Sequence, residues 1–96
     1  MTAQNQDNEI YVGEKPFMNY VTAIVMQFTT QQQDTVHVKA RGKHISRAAD
    51  VVEIAIHDFL DGVAEVSNIE LTSQQVTNKE NKLVRVSTLH ITLQKK

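Results

Sequence analysis

Val38-Lys-Ala-Arg-Gly-Lys-His-Ile-Ser-Arg-Ala-Ala-Asp50 decides the fold, because within it the chain changes from strand periodicity to helix periodicity. Before Arg41-Gly42-Lys43, the apolar Val36, Val38 and Ala40 alternate with His37, Lys39 and Arg41, which places the basic side chains on one face of a strand. After it, Ile45, Ala48 with Ala49, Val52, Ala55 with Ile56, and Phe59 recur at helical spacing. The join reads strand, tight glycine turn, helix, with the helix expected from about His44 to Leu60 and ending before Asp61-Gly62.

No Ser, Thr, Asp or Asn stands at the expected N-cap near Gly42 and Lys43, so the first helical N–H groups lack an obvious internal acceptor. Arg41, Lys43 and Arg47 flank that end, and the stretch from Thr35 to Ala49 contains no acid. A free helix N-terminus beside cations attracts anions, phosphate above all. Taken alone, the turn is equally compatible with a solvated loop whose N–H groups face water.

A chain of 96 residues is one small domain. The absence of cysteine excludes a disulfide framework and a thiolate metal site. No apolar run approaches the roughly 20 residues of a membrane helix, and nothing resembles a signal peptide, so an intracellular soluble protein is the default expectation. The formal net charge of −1 argues against indiscriminate polyanion binding, but the charges are segregated along the chain. Lys39, Arg41, Lys43 and Arg47 form one acid-free block, Asp50 to Glu70 is acidic throughout, and Lys79, Lys82, Arg85, Lys95 and Lys96 form a second basic block. A fold that joined the basic blocks would have one positive face.

Residues 1–8 are polar and aperiodic and are expected to be a disordered N-terminal tail, leaving residues 9–96 as a single domain. Ile10-Tyr11-Val12 reads as a short strand stopped by Gly13. Pro16 suits the first position of a helix, and Phe17, Tyr20 with Val21, Ile24 and Phe28 form its buried stripe. If the two strand-to-helix turns belong to parallel neighbours, Lys15, Arg41 and Lys43 gather at one sheet edge. Val66 to Val76 and Leu83 to Leu93 read as a long antiparallel hairpin whose polar arm carries Lys79, Lys82 and Arg85. In its last strand, Val84 and Val86 occupy one parity while Leu89, Ile91 and Leu93 occupy the other, which calls for a bulge or for an outer half that has left the core.

The element order is therefore β-α-β-α-β-β: an α+β two-layer sandwich, a four-stranded mixed sheet with two helices on one face and a long hairpin arm. Asp50, Glu53 and His57 share one side of the second helix, where a solvated face is the simpler reading than a metal or acid–base site. No aromatic stacking platform is evident, since Phe17 and Phe28 lie on a core stripe and Tyr11 lies inside a short strand. The histidines show no convergent arrangement of the kind an enzyme needs, and no cofactor or metal is called for.

Three motifs in order carry a family resemblance. Val12-Gly-Glu-Lys-Pro-Phe-Met-Asn-Tyr20 is similar to the segment "IGKKPVMNYV", and Lys39-Ala-Arg-Gly-Lys-His-Ile-Ser-Arg-Ala-Ala-Asp50 to "KARGRAISKAVD". Both segments belong to the Alba family of small archaeal chromatin and RNA-binding proteins, and Arg85-Val-Ser-Thr88 also falls where that family has similar residues. The resemblance implies a homodimer, with assembly into larger arrays on DNA, that is cytoplasmic and chromosome-associated. It implies backbone contacts from Lys15, Arg41, Gly42, Lys43 and Arg47, and a hairpin arm, with Lys79, Lys82 and Arg85, that reaches toward the groove. It also implies a contact between dimers at Phe59. Glu14 departs from the pattern by replacing the first of two paired lysines, a position linked in the family to regulation by acetylation. Ile56 and Asp58 also stand at positions often basic in the family. These departures lead to the expectation of a DNA-binding protein weaker or more selective than typical members. The alternatives are an RNA-binding protein of the same fold and a protein-interaction module that docks through Phe59 and the acidic helix.

Overall fold

The computed structural model describes residues 8–96. The elements run β1 (Glu9–Tyr11), α1 (Phe17–Thr29), β2 (Thr35–Arg41), a single 3-10 turn (Gly42–His44), α2 (Ile45–Ile54), a π turn (Ala55–Phe59), β3 (Ala64–Thr77) and β4 (Leu83–Lys95). The order β-α-β-α-β-β is thus the observed one. Of the expected tail, residues 1–7 lie outside the described residues. Asn8 is tied to β2, its carbonyl accepting from His37 N–H at 2.8 Å and its side-chain amide donating to the Thr35 carbonyl at 3.3 Å.

The sheet order is β1-β2-β4-β3. β1 pairs parallel to β2 through Glu9↔His37, Ile10↔Val38 and Tyr11↔Lys39, while β2–β4 and β3–β4 are antiparallel. Because β1 and β2 run the same way, both strand-to-helix turns open at the same edge. Both helices lie over one face, and the core is built between Ile10, Val36, Val38, Ala40, Leu89, Ile91 and Leu93 of the sheet and Val21, Ile24, Phe28, Ala48, Val51 and Val52 of the helices. Each fully buried Val, Leu or Ile side chain contributes about 1.5–3 kcal/mol.

Two boundaries differ from the periodicity reading. Pro16 is the N-cap of α1 rather than its first helical residue, with ψ at 142° and its carbonyl accepting from Asn19 N–H at 3.0 Å. Its missing N–H therefore lies outside the helix altogether. The second helix ends in a π turn in which Leu60 N–H donates to the Ala55 carbonyl at 3.0 Å. That wider turn rotates Leu60 into the core at 0 % exposure and leaves Phe59 at 52 %, so Phe59 does not complete the buried stripe.

The hairpin accounts for the change of parity in β4. Its pairing with β3 is unbroken from Asn68↔Thr92 to Thr77↔Leu83, so no bulge lies in β4. The outer half has simply left the helices, and Val84 and Val86 lie on the opposite sheet face from Leu89. The irregularity is in β3, between Val66 and Asn68. Val66 and Ile69 are an odd number of residues apart and would face opposite sides of a regular strand. The bulge at Ser67 sets both on the helix side, with Val66 opposite Leu93 and Ile69 opposite Ile91.

The first loop is organised by one hydroxyl. Tyr20 Oη accepts from both Gly13 N–H and Lys15 N–H at 3.0 Å, and Arg47 donates to the Gly13 carbonyl at 3.0 Å while its guanidinium lies 6.0 Å from the Tyr20 ring centroid. Tyr20→Phe leaves two part-buried amides without that acceptor. It is expected to lower unfolding free energy by about 1–2 kcal/mol in a denaturant titration, with faster amide exchange at Gly13 and Lys15.

Candidate nucleic-acid interface

Loops at the common edge bring together part of the expected basic set. Lys15 is exposed in the first loop, and Arg41 and Lys43 are exposed on either side of Gly42 in the second. Gly42 has φ of +54°, in the left-handed region that costs an L side chain about 1–2 kcal/mol, so the reversal from β2 into the helix rests on the missing Cβ. Neither the 3-10 turn nor α1 nor α2 has a side-chain cap, and no acid stands in their first turns. The edge therefore combines uncapped N–H groups with three cations.

Glu14 changes that edge in a way the sequence indicates only as a lost lysine. Its carboxylate reaches across to Lys43 Nζ at 3.5 Å, both side chains being about three-quarters exposed. An anion arriving at Lys43 must compete with a carboxylate of the same chain. Arg47 is also not a free contact residue: it is half-buried and spends one N–H on the Gly13 carbonyl. It positions the first loop, with its remaining donors left over.

Lys79 and Lys82 are exposed at the hairpin tip, away from the loop edge. Thr88 of β4 pairs with Arg41, and β4 begins at Leu83, so the arm runs on for roughly 17 Å beyond Arg41. The tip is a defined turn. Asn78 Oδ1 accepts from Glu80 N–H at 2.9 Å and Lys82 N–H at 3.0 Å, while Asn78 N–H donates to the Lys82 carbonyl at 2.9 Å. Arg85 has the parity of Leu89 and so projects on the helix side of the arm, whereas Arg41 projects on the open side of the sheet.

The open face carries groups that sequence reasoning missed. Tyr11 is 63 % exposed there, not enclosed by its strand. The signal in the sequence is the position of Tyr11 between apolar Ile10 and Val12, since alternate residues of a strand face opposite sides. Lys39 lies with its Nζ 5.7 Å from the Tyr11 ring centroid and 3.3 Å from Glu9 Oε2. The Lys39 ammonium, and less strongly the Tyr11 hydroxyl, hold the Glu9 carboxyl below the usual carboxylate range against a smaller opposing effect of burial. Beside them His37 Nδ1 and His90 Nε2 are 2.8 Å apart, and Glu70 Oε1 lies 3.7 Å from His90 Nδ1. Glu53 of α2 and His57 of the π turn form an exposed pair at 3.2 Å, as a solvated helix face would. Among the described residues no group of three or more His, Asp or Glu is placed to hold a metal ion.

The His37–His90 contact needs one ring nitrogen as acceptor, so it is lost if both rings are protonated. Burial first, then the nearby His37 and Lys39 charges, push the His90 pKa below its ordinary 6.5, with Glu70 and Glu9 opposing. A lowered folded pKa means that this contribution to stability is complete above 6.5 and is lost as pH falls from there through the folded value. The denaturation midpoint is expected to fall between about pH 7.5 and 5.5, where carboxylates stay ionised, and to fall less in His90→Gln.

The chain is similar over nearly its whole length to proteins of one family. The Alba family model matches residues 8–73. The DNA/RNA-binding protein Alba of Methanocella arvoryzae is 40% identical over 90 residues, 94% of this chain and 92% of that one. The protein of the same name from Nanoarchaeum equitans is 45% identical over 89 residues, 92% of this chain and 98% of that one. Alba from Thermoplasma volcanium superposes with a TM-score of 0.82 at 42% identity, covering 91% of this chain and 99% of that one. These relatives bear the names of binding proteins and not of enzymes. With its fold, glycine turn and full-length likeness in agreement, the chain belongs to the Alba family.

Proposed function

We infer that this protein is a dimeric chromatin-type DNA-binding protein whose two loops hold phosphates along the common sheet edge, while its hairpin arm follows the groove. The observation that carries the reading is the convergence of Lys15, Arg41 and Lys43 on uncapped helix starts at one edge. The relatives' names, DNA/RNA-binding protein, support the ligand class, and RNA is the second reading because a phosphate edge serves either polymer. The arm length supports separate contacts for Lys79, Lys82 and Arg85 further along the duplex, with Arg47 acting mainly through the first loop. The chromosome is the corresponding location.

Dimerisation is supported by β3. It is an edge strand with Val66, Ile69 and Leu71 on the helix side, beyond the cover of both helices, and Ile69 and Leu71 are 63 % and 68 % exposed. Such a strip beside an unpaired strand edge is the kind of surface a second copy covers. Phe59, exposed on the π turn, is the contact we assign between dimers in larger assemblies.

Binding tests the phosphate edge directly. In a salt titration on duplex DNA and on structured RNA, Arg41→Ala/Lys43→Ala is expected to weaken binding and to flatten the log–log slope by about 0.9 per lost phosphate contact. Glu14→Lys, which removes the competitor for Lys43, is expected to tighten binding and steepen the slope. Slopes that do not move in either variant would sink the assignment. The dimer is tested by light scattering: Leu71→Asp is expected to give a folded monomer, and an unchanged mass would place the interface elsewhere.

A further inference from the structure

At the end of the open sheet face, where both loops meet, lies a groove of about 390 Å³. Tyr11, Lys39, Arg41, His44, Gln74 and Thr88 contribute its chemistry. Resting on the nucleic-acid reading above, we propose that this groove is a subsite for one unpaired nucleotide of a bound nucleic acid, with its base stacked on Tyr11 and its phosphate at Arg41 and His44.

Four observations lead to that occupant. The volume falls within the range of about 300–1,000 Å³ that holds small organic groups. Tyr11 offers an aromatic ring that is 63 % exposed, with the Lys39 ammonium over it, and such a ring accepts any base. Gln74 brings an amide with both donor and acceptor, its Oε1 accepting from Arg41 at 3.3 Å, so it can match the pairing edge of a base. Thr88, the partner of Arg41 in the β2–β4 pairing, lines the groove with a side chain too small to fill it.

Continuity with the phosphate edge decides between a base from a polymer and an unrelated small molecule. Arg41 belongs to both sites: it flanks the glycine turn and hydrogen-bonds to Gln74 inside the groove. A strand whose phosphates pass Arg41 and Lys43 brings its own bases to the groove mouth. A paired base cannot enter, because its pairing edge is occupied, but a bulged or extruded one can.

The experiment compares a fully paired short duplex with the same duplex carrying a single bulged fluorescent purine analogue, each as RNA and as DNA. The full-length protein is expected to bind the bulged probes about five-fold or more tighter, within the roughly 5- to 150-fold that one stacked base contributes, and to perturb the analogue's emission. The polymer in which the gain is larger identifies the source of the base. Tyr11→Ala is expected to abolish the gain and the emission change while leaving the paired duplex bound as before, Tyr11→Phe to keep both, and Gln74→Ala to reduce the gain. Equal affinity for bulged and paired probes, or an equal loss on both in Tyr11→Ala, overturns the subsite and leaves the phosphate edge standing. Failure of all probes to bind overturns both.

Discussion

The short parallel pairing of β1 with β2 is the constraint on which the rest of the molecule depends. Three residues of β1 hold their register through Ile10↔Val38 and its neighbours. Parallel strands need a crossover, so α1 must cover the sheet between them, and the two turns that follow β1 and β2 must share an edge. Had β1 run the other way, Lys15 would stand at the opposite end of the sheet from Arg41. The loops become one surface through this pairing, and Tyr20 and Arg47 then hold the first of them in place.

Much of the fold was legible because its signals are local. The change from period two to helical spacing across Gly42, the apolar stripe behind Pro16 and the long alternating hairpin each depend on neighbours within a few residues. The rest depends on pairing partners far along the chain or on departures from regular helix geometry. The bulge at Ser67 exists because Val66 and Ile69 must both face the side occupied by Leu93 and Ile91, a demand set by β4 and not by β3 itself. Phe59 looked like a core residue at helical spacing, and only the π turn, which lets Leu60 reach the core, shows otherwise.

The candidate site was legible in charge but not in connectivity. Arg41, Gly42 and Lys43 are adjacent in the sequence, and a parallel β1–β2 pair adds Lys15 to them. Arg47 could not be separated from them, since the Gly13 carbonyl it binds lies 34 residues away. Tyr11 inside a strand reads as enclosed, whereas this strand alternates between a core face and an open one that exposes the ring. The Glu14–Lys43 contact likewise joins two loops that only the parallel pairing brings together.

The charge order of α2 runs against its own dipole. A helix is stabilised by acids in its first turn and bases in its last, each by about 0.3–1 kcal/mol. This one does the reverse: Lys43, His44 and Arg47 lie at its start, while Asp58 and Asp61 lie at its end. Arg47 is offset by its bond to the Gly13 carbonyl, but Asp58 and Asp61 work against the helix dipole without such a partner among the described residues, and Lys43 has only its exposed contact with Glu14. The arrangement adds the positive end of the dipole to the cations at the loop edge and sends the acids to the far end of the helix. A chain of net charge −1 can thereby concentrate positive charge at one end of α2, where Glu14 at 3.5 Å from Lys43 offsets only part of it.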